Sequence, residues 1–306
     1  MSADAWTSLL AGLLGGALRV GAPFLFVSLG ECLTEKAGRI NLGLEGVLVL
    51  SAMAAFGGAY LSGSAWVGVL CAALAGGALA LLHALLCAQE GVNDIATGIA
   101  LMLLGTGLAF FFGKALIQPQ APQLTAWDWG GWTDAPALRA ALQVNVLLPV
   151  GLLLALVLHW ALGNTRWGLL LRMAGDSATA ARSLGYSVNG LRLAATTVGG
   201  MVAGLGGACL SLFYPGSWNE GISSGQGLIA VALVIFARWN ALRCVGAALL
   251  FGAAGAIGPA LQSIGIGWGY HLFNTLPYVF TLLILVLTCR PGVAPPGSPG
   301  ELSSGQ

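Results

Sequence analysis

The sequence predicts an all-α fold, a polytopic bundle of about eight to ten transmembrane helices in which one helix is broken or re-entrant. Three observations carry that prediction. Of 306 residues, 57% are hydrophobic and 8% charged, with a mean hydropathy of +0.86, whereas soluble domains are about 45–50% apolar and about 25% charged. Runs such as Ala65 to Ala88 and Leu147 to Gly163 meet or approach the roughly 20 residues a helix needs to cross the hydrocarbon. The short alternating strands of a β-barrel are not the pattern.

Spans are expected at 9–33, 42–62, 65–88, 94–113, 144–163, 192–213, 227–238, 243–263 and 270–289. The first has no basic region before it and no convincing cleavage site, so it reads as a span rather than a removable signal peptide. Between the first two lies TEKAGRINLGLEG, Thr34 to Gly46. Glu35, Lys36, Arg39 or Glu45 would each cost about 2.5–3.5 kcal/mol at the bilayer centre. That stretch therefore lies at a membrane face or lines a polar path. The seventh run, GLIAVALVIFAR, is too short to cross alone; it is either extended by SWNEGISSGQ before it or packed as a half-helix inside the bundle.

Basic residues set the orientation. With the N-terminus outside, nine of them (Lys36, Arg39, Arg166, Arg172, Arg182, Arg192, Arg238, Arg243, Arg290) fall on cytoplasmic segments, two (Lys114, Arg139) on external ones, and Arg19 inside the first span. The positive-inside rule then puts the C-terminus in the cytoplasm. Residues 1–290 make one transmembrane unit, and the Pro/Gly/Ser-rich stretch 291–306 is expected to be a disordered cytoplasmic tail.

Two loops are long enough to meet partners. The external one, 114–143, contains AWDWGGWTD, whose Trp127, Trp129 and Trp132 form either an aromatic belt at the lipid interface or a docking surface for another protein. In the cytoplasmic one, 164–191, Asp176 or Ser177 can cap a short helix holding Ala178, Ala180, Ala181 and Leu184, which Gly185 stops. Such a helix suits insertion into a partner's groove, or merely joins two spans.

Catalytic chemistry is not legible. GLAFFFGK, Gly107 to Lys114, has the wrong glycine spacing, no following Ser or Thr and an aromatic middle, so it is no phosphate loop. GGMVAGLGGA, Gly199 to Ala208, lies inside a span, where its glycines let helices approach closely. No nucleophile set stands out among Ser, His and acids, and no cofactor is expected in this chain. The six cysteines and three histidines are scattered, without metal-ligand or redox spacing. Charges this sparse exclude a nucleic-acid groove. Polar residues border the early spans: Arg19, Glu31, Asn41, Glu45, Asn93 and Asp94. Of these, Glu31, Asn41, Glu45 and Asn93 are the candidate pathway residues. For Glu31, Asn41 and Glu45 the alternative is hydrogen bonding that holds a broken helix together.

Five segments then recur in a familiar order: LRVGAPFLFVSLGECLTEKAGRINLGLEGVLVLSA, GVNDIATGIALMLLGTGLAFF, TRWGLLLRMAGDSATAARSLGYSVNGLRL, GGMVAGLGGACLSLF and GQGLIAVALVIFARWNAL. Over roughly residues 7–289 the chain resembles permease subunits of bacterial ABC importers of the branched-chain amino acid, ribose and nucleoside class. It looks most like the shorter permease of nucleoside importers served by basic membrane protein-type lipoproteins. The resemblance implies that Asn41, Gly43, Glu45 and Gly46 begin a central helix beside the translocation path. It also implies that GDSATAARSLG, with Asp176, Ala178, Ala180, Ala181, Arg182 and Gly185, is the coupling helix seated in an ATPase cleft. The implied partners are a second, related permease, two ATPase subunits that bind ATP and Mg, and an external binding protein, all at the bacterial cytoplasmic (inner) membrane among its lipids. Asp176, where an amide is commoner, and RWNALRC, where proline often follows the asparagine, depart from the pattern and leave substrate open among nucleosides, simple sugars and branched-chain amino acids. A secondary carrier is the rival class; against it stand the short chain, the lack of a clear repeat and the few buried carboxylates. No filter-like segment favours a channel.

Overall fold

The computed structural model describes residues 3–263, 275–288 and 297–304. Helices follow the apolar runs: α1 Ala3–Lys36, α2 Leu44–Ser62, α3 Ala65–Cys87 and α4 Asp94–Gly113. A small outer segment follows, with strand β1 Ala126–Asp128, helix α5 Pro136–Ala141 and strand β2 Gln143–Asn145. Next come α6 Leu147–Asn164, α7 Arg166–Asp176, α8 Ala178–Ser183, α9 Val188–Leu212, α10 Gln226–Phe236 and α11 Ala241–Ser263. The last described elements are α12 Leu276–Thr288 and α13 Gly300–Ser304.

Seven of these helices are long and apolar enough to cross a membrane. The first eight expected spans find helices near their places, and α12 covers the described part of the ninth. α10 is the short one. Eleven residues rise about 17 Å, roughly half of a 30 Å hydrocarbon core. The residues before it, 213–225, stay outside regular helix, as expected for a half-helix enclosed by protein. They start where Leu124 N–H donates to Leu212 O (2.9 Å), pass the Trp218 indole lying over Gly113, and end at the start of α2.

α9 is the axis of the bundle. Gly199 meets α1, where a Cβ would sit 2.5 Å from Gly30 O, and its neighbour Gly200 meets α3, where a Cβ would sit 2.7 Å from Gly76 O. Successive residues of an α-helix point about 100° apart, so adjacent glycines admit two different backbones. α1, α2 and α3 pack directly on it, and α10 and α11 pack on α1 to complete the core, with Phe24, Phe26, Phe56 and Phe251 buried. The outward sides of α3, α4 and α6 carry Leu70, Leu74, Leu103, Phe111, Leu153 and Trp160, apolar side chains left for lipid or another apolar surface.

One boundary differs from the sequence expectation. α9 begins at Val188 instead of 192, because the Ser187 hydroxyl accepts from Gly190 N–H (3.2 Å) and caps a turn that hydropathy alone does not see. The described residues beyond 290, 297–304, lie against the bundle, where Pro299 is buried and Glu301 bonds to Ala178 and Arg192.

From the basic asymmetry of the sequence, the end of the bundle with Lys36, Arg39 and Arg192 is expected to face the cytoplasm. Trp129 and Ala180 are both exposed, at opposite ends. Single cysteines at these positions are therefore expected to behave oppositely in intact cells: a membrane-impermeant thiol reagent should modify position 129 and spare position 180. Strong labelling at 180 with none at 129 reverses the orientation.

Candidate translocation and coupling site

The charged stretch between α1 and α2 spends its polar groups on the fold. Glu31 is fully buried and accepts from Asn41 N–H (2.8 Å); Asn41 Oδ1 in turn accepts from Gly43 N–H (2.9 Å), which closes the turn into α2. Glu35 accepts from the Trp239 indole N–H beyond α10. Lys36 donates to Gly297 O (2.9 Å). Arg39 pairs with Asp94 at the start of α4 and donates to Cys87 O at the end of α3. Two further glycines of the stretch are demanded by proximity: a Cβ on Gly43 would lie 2.9 Å from Asn41 Oδ1, and one on Gly46 2.7 Å from Met102 Cα.

Glu45, in the first turn of α2, reaches the broken helix. Its Oε1 accepts from Gly225 N–H (3.0 Å) and from the Ser223 hydroxyl, and its Oε2 accepts from Gly227 N–H (2.7 Å). One carboxylate thus satisfies donors at the N-terminus of α10, where unpaired N–H groups and the positive helix end coincide. Ser224 (φ 45°) and Gly225 (φ 78°) turn the chain there through left-handed backbone. The structure brings Glu31 and Asn41 together, and Glu45 with α10. Asn93 does a separate job: it is exposed and caps α4 by accepting from Ile95 N–H (2.9 Å) and Ala96 N–H (3.0 Å).

The candidate coupling region is a hairpin at the basic end. Ser177 caps α8, accepting from Ala180 N–H (3.2 Å), while Asp176 is exposed as the last residue of α7. Gly185, at φ 85°, lets the chain turn back toward α9. The alanines do not form one outward face. Ala178 and Ala181 are buried with Ala174 and Val188 inside the hairpin, so the free surface is Thr179, Ala180, Arg182 and Ser183, continued by Leu184 and Tyr186. The helical period decides this within α8: positions 178 and 181 share the side that packs on Ala174 of α7 and Val188 of α9.

Arg192 was counted in the sequence only as a cytoplasmic charge. It is buried and joins three elements, its Nε donating to Ala37 O (3.0 Å) and one terminal nitrogen to Ala174 O (3.2 Å) and to Glu301 (3.1 Å). The serine cap at Ser187 is the sequence signal that places Arg192 within a helix; nothing local names its partners. Trp239, Trp218 and Ser223 were likewise missed, since each acts through a residue more than a hundred positions away.

At the opposite end, β1 and β2 pair antiparallel, Trp127 facing Val144 across the ladder. Asp128 pairs with Arg139 (3.0 Å); the Gly130 N–H and this guanidinium hold its carboxyl below the usual carboxylate range. Trp127 and Trp129 meet edge to face at 6.4 Å, and with Trp132 they stay exposed. Arg19, partly exposed, donates to Ala140 O and Gln143 O of this segment.

The family described as branched-chain amino acid transport system, permease component, matches residues 13–289. The chain belongs to this family. It is a permease component of an ABC transporter and a multi-pass protein of the inner membrane. A Haloferax volcanii protein provisionally named a glucose ABC transporter permease is 35% identical, over 91% of this chain and 92% of its own. The nucleoside ABC transporter permease of Lactococcus lactis is 27% identical (92% and 94% covered), and a guanosine ABC transporter permease of Bacillus subtilis 28% (90% and 88%). Members of this family are permease components, subunits that are not enzymes themselves. The hairpin, the α1–α2 corner and the α10 cap are this chain's three constructed features.

Proposed function

We propose that this chain forms half of the path through which an ATP-driven importer moves a small polar solute, most readily a nucleoside. A second permease completes the path, ATPase subunits carrying ATP and Mg dock on the outer face of α8, and an external binding protein meets the segment bearing Trp127, Trp129 and Trp132. The observation that carries the reading is the α7–α8 hairpin: a capped helix outside the bundle, presenting Thr179, Ala180, Arg182 and Leu184 as a face left exposed by the described residues. Asn41 and Glu45 then support the geometry of the path, and ATP supplies the driving force.

The nucleoside reading is supported by the Lactococcus and Bacillus relatives. A simple sugar is the second reading, supported by the Haloferax relative; both solutes present a hydroxyl-bearing ring. Uptake of labelled guanosine and labelled glucose by cells expressing the complete transporter separates them. Guanosine uptake that vanadate stops is the expected result. Uptake of glucose alone favours the sugar, and uptake that vanadate leaves untouched makes the chain a secondary carrier.

Docking has its own test in the hairpin. Ala180→Trp places a bulky ring on the outer face, and overpacking of about 1–3 kcal/mol weakens a contact roughly tenfold or more. The ATPase subunits should be lost on purification while the permease pair survives. Ala181→Trp instead drives the ring into the hairpin's own interior, so it should disorder α8 and abolish uptake by a different route. An Ala180→Trp transporter that keeps full ATPase content and transports normally leaves α8 as a connector.

A further inference from the structure

The mechanism above does not use Glu301, although it lies in a stretch whose composition offers no core of its own. Its carboxylate bridges the α7–α8 hairpin and α9: Oε1 accepts from Ala178 N–H (2.9 Å), the first residue of α8, and Oε2 pairs with Arg192 of α9 (3.1 Å). The surrounding tail is fitted closely. Gly297 O accepts from Lys36 at the end of α1 (2.9 Å), Gly297 takes φ 92°, Pro299 is buried, and Gly300 lies so near Asp176 O that a side chain there would strike it. Arg192 extends the link, since the same guanidinium holds Ala37 O and Ala174 O. Four contacts from one short segment therefore tie α8, α9, α7 and the end of α1 into one body.

We infer that residues 297–304 are a strap that holds the α7–α8 hairpin rigidly against α9 and α1, so that motion imposed on α8 is delivered to those two spans. Glu301 is the positioning residue of the strap. The inference rests on the reading of α8 as the ATPase contact, but the strap leaves that outer face uncovered: it grips α8 at its N-terminus, away from Ala180, Arg182 and Leu184. Burial pushes the Glu301 carboxyl up, and the Ala178 N–H with the Arg192 and Arg182 charges push it down by more, so the strap stays ionised at neutral pH.

The test uses the whole reconstituted transporter in proteoliposomes, with Glu301→Ala, Glu301→Gln, a stop codon in place of Gly297, and Leu184→Glu on the outer face. Amide hydrogen exchange reads the strap itself. Segment 177–186 should exchange at least tenfold faster in Glu301→Ala and in the truncated chain, with Glu301→Gln, which keeps an acceptor for Ala178, in between. Solute moved per ATP hydrolysed reads its consequence: it should fall about fivefold or more in both variants while ATPase subunits copurify in full. Unchanged exchange overturns the strap. Faster exchange with undiminished solute per ATP overturns its part in coupling, and a rise in transport would make the tail a brake, which overturns the inference as well. Leu184→Glu judges the docking reading separately: loss of ATPase subunits upholds it, and full retention with normal uptake removes it without altering what exchange says of the strap.

Discussion

Glu45→Leu is expected to abolish transport in a chain that still inserts, while Glu45→Gln keeps much of it. The leucine removes the acceptors for Gly225 N–H, Gly227 N–H and the Ser223 hydroxyl together. Each buried donor left unpaired costs about 1–3 kcal/mol, and Ser223 and Gly227 are both buried. α10 is too short to compensate by packing, so its N-terminus and the 213–225 segment should lose their fixed position. Glutamine preserves one acceptor oxygen and the shape of the side chain; it forfeits one hydrogen bond and the attraction of a negative charge to the helix end, about 0.3–1 kcal/mol at an exposed site and up to about 2 when partly buried. Uptake assays paired with fluorescence-detected size exclusion check both variants. Equal loss of transport in two well-assembled proteins would mean that the charge itself works in transport.

The second large effect is expected at the α1–α9 and α3–α9 crossings. Gly199→Val or Gly200→Val should yield little folded protein, because the added carbons meet backbone rather than flexible side chains. At Gly199 a Cβ would stand 2.5 Å from Gly30 O and 2.6 Å from Thr34 Oγ1; at Gly200 it would stand 2.7 Å from Gly76 O. Overpacking costs about 1–3 kcal/mol where side chains can yield, and here the helices themselves must part, breaking the contact along α9. Gly107→Ala is the control. Nothing lies within 4 Å of a Cβ there, and alanine gains up to about 1 kcal/mol of helix propensity. Thermal shift in detergent should rank Gly107→Ala at or above the parent chain and both valines far below it. Parity among the three would show that α9 does not pack as tightly as the geometry indicates.

How far the fold was legible follows from which forces act locally. Hydropathy placed the spans because the cost of an exposed charge in lipid belongs to each residue singly, and it marked GLIAVALVIFAR as too short because length is a local property too. Capping was local as well: Asn93, Ser177 and Gly185 act within a few residues of themselves, and the glycines near 199–204 announced a close crossing. The sequence also required that Glu35, Lys36, Arg39 and Glu45 find polar company, since leaving them bare in lipid costs too much. It had no means of naming that company. Trp239, Gly297, Asp94 and the start of α10 come from far along the chain, 55 to 261 positions away, and only packing brings them within hydrogen-bond reach. The direction of Ala178 and Ala181 was hidden for the same reason: a small side chain suits a partner's groove and its own hairpin equally, and the position of α7 and α9 chooses between them. The tail shows the limit most plainly. Its composition forbids an independent core, yet Arg192 and the N-terminus of α8 offer the Glu301 carboxylate two partners on a surface that the rest of the fold has already built.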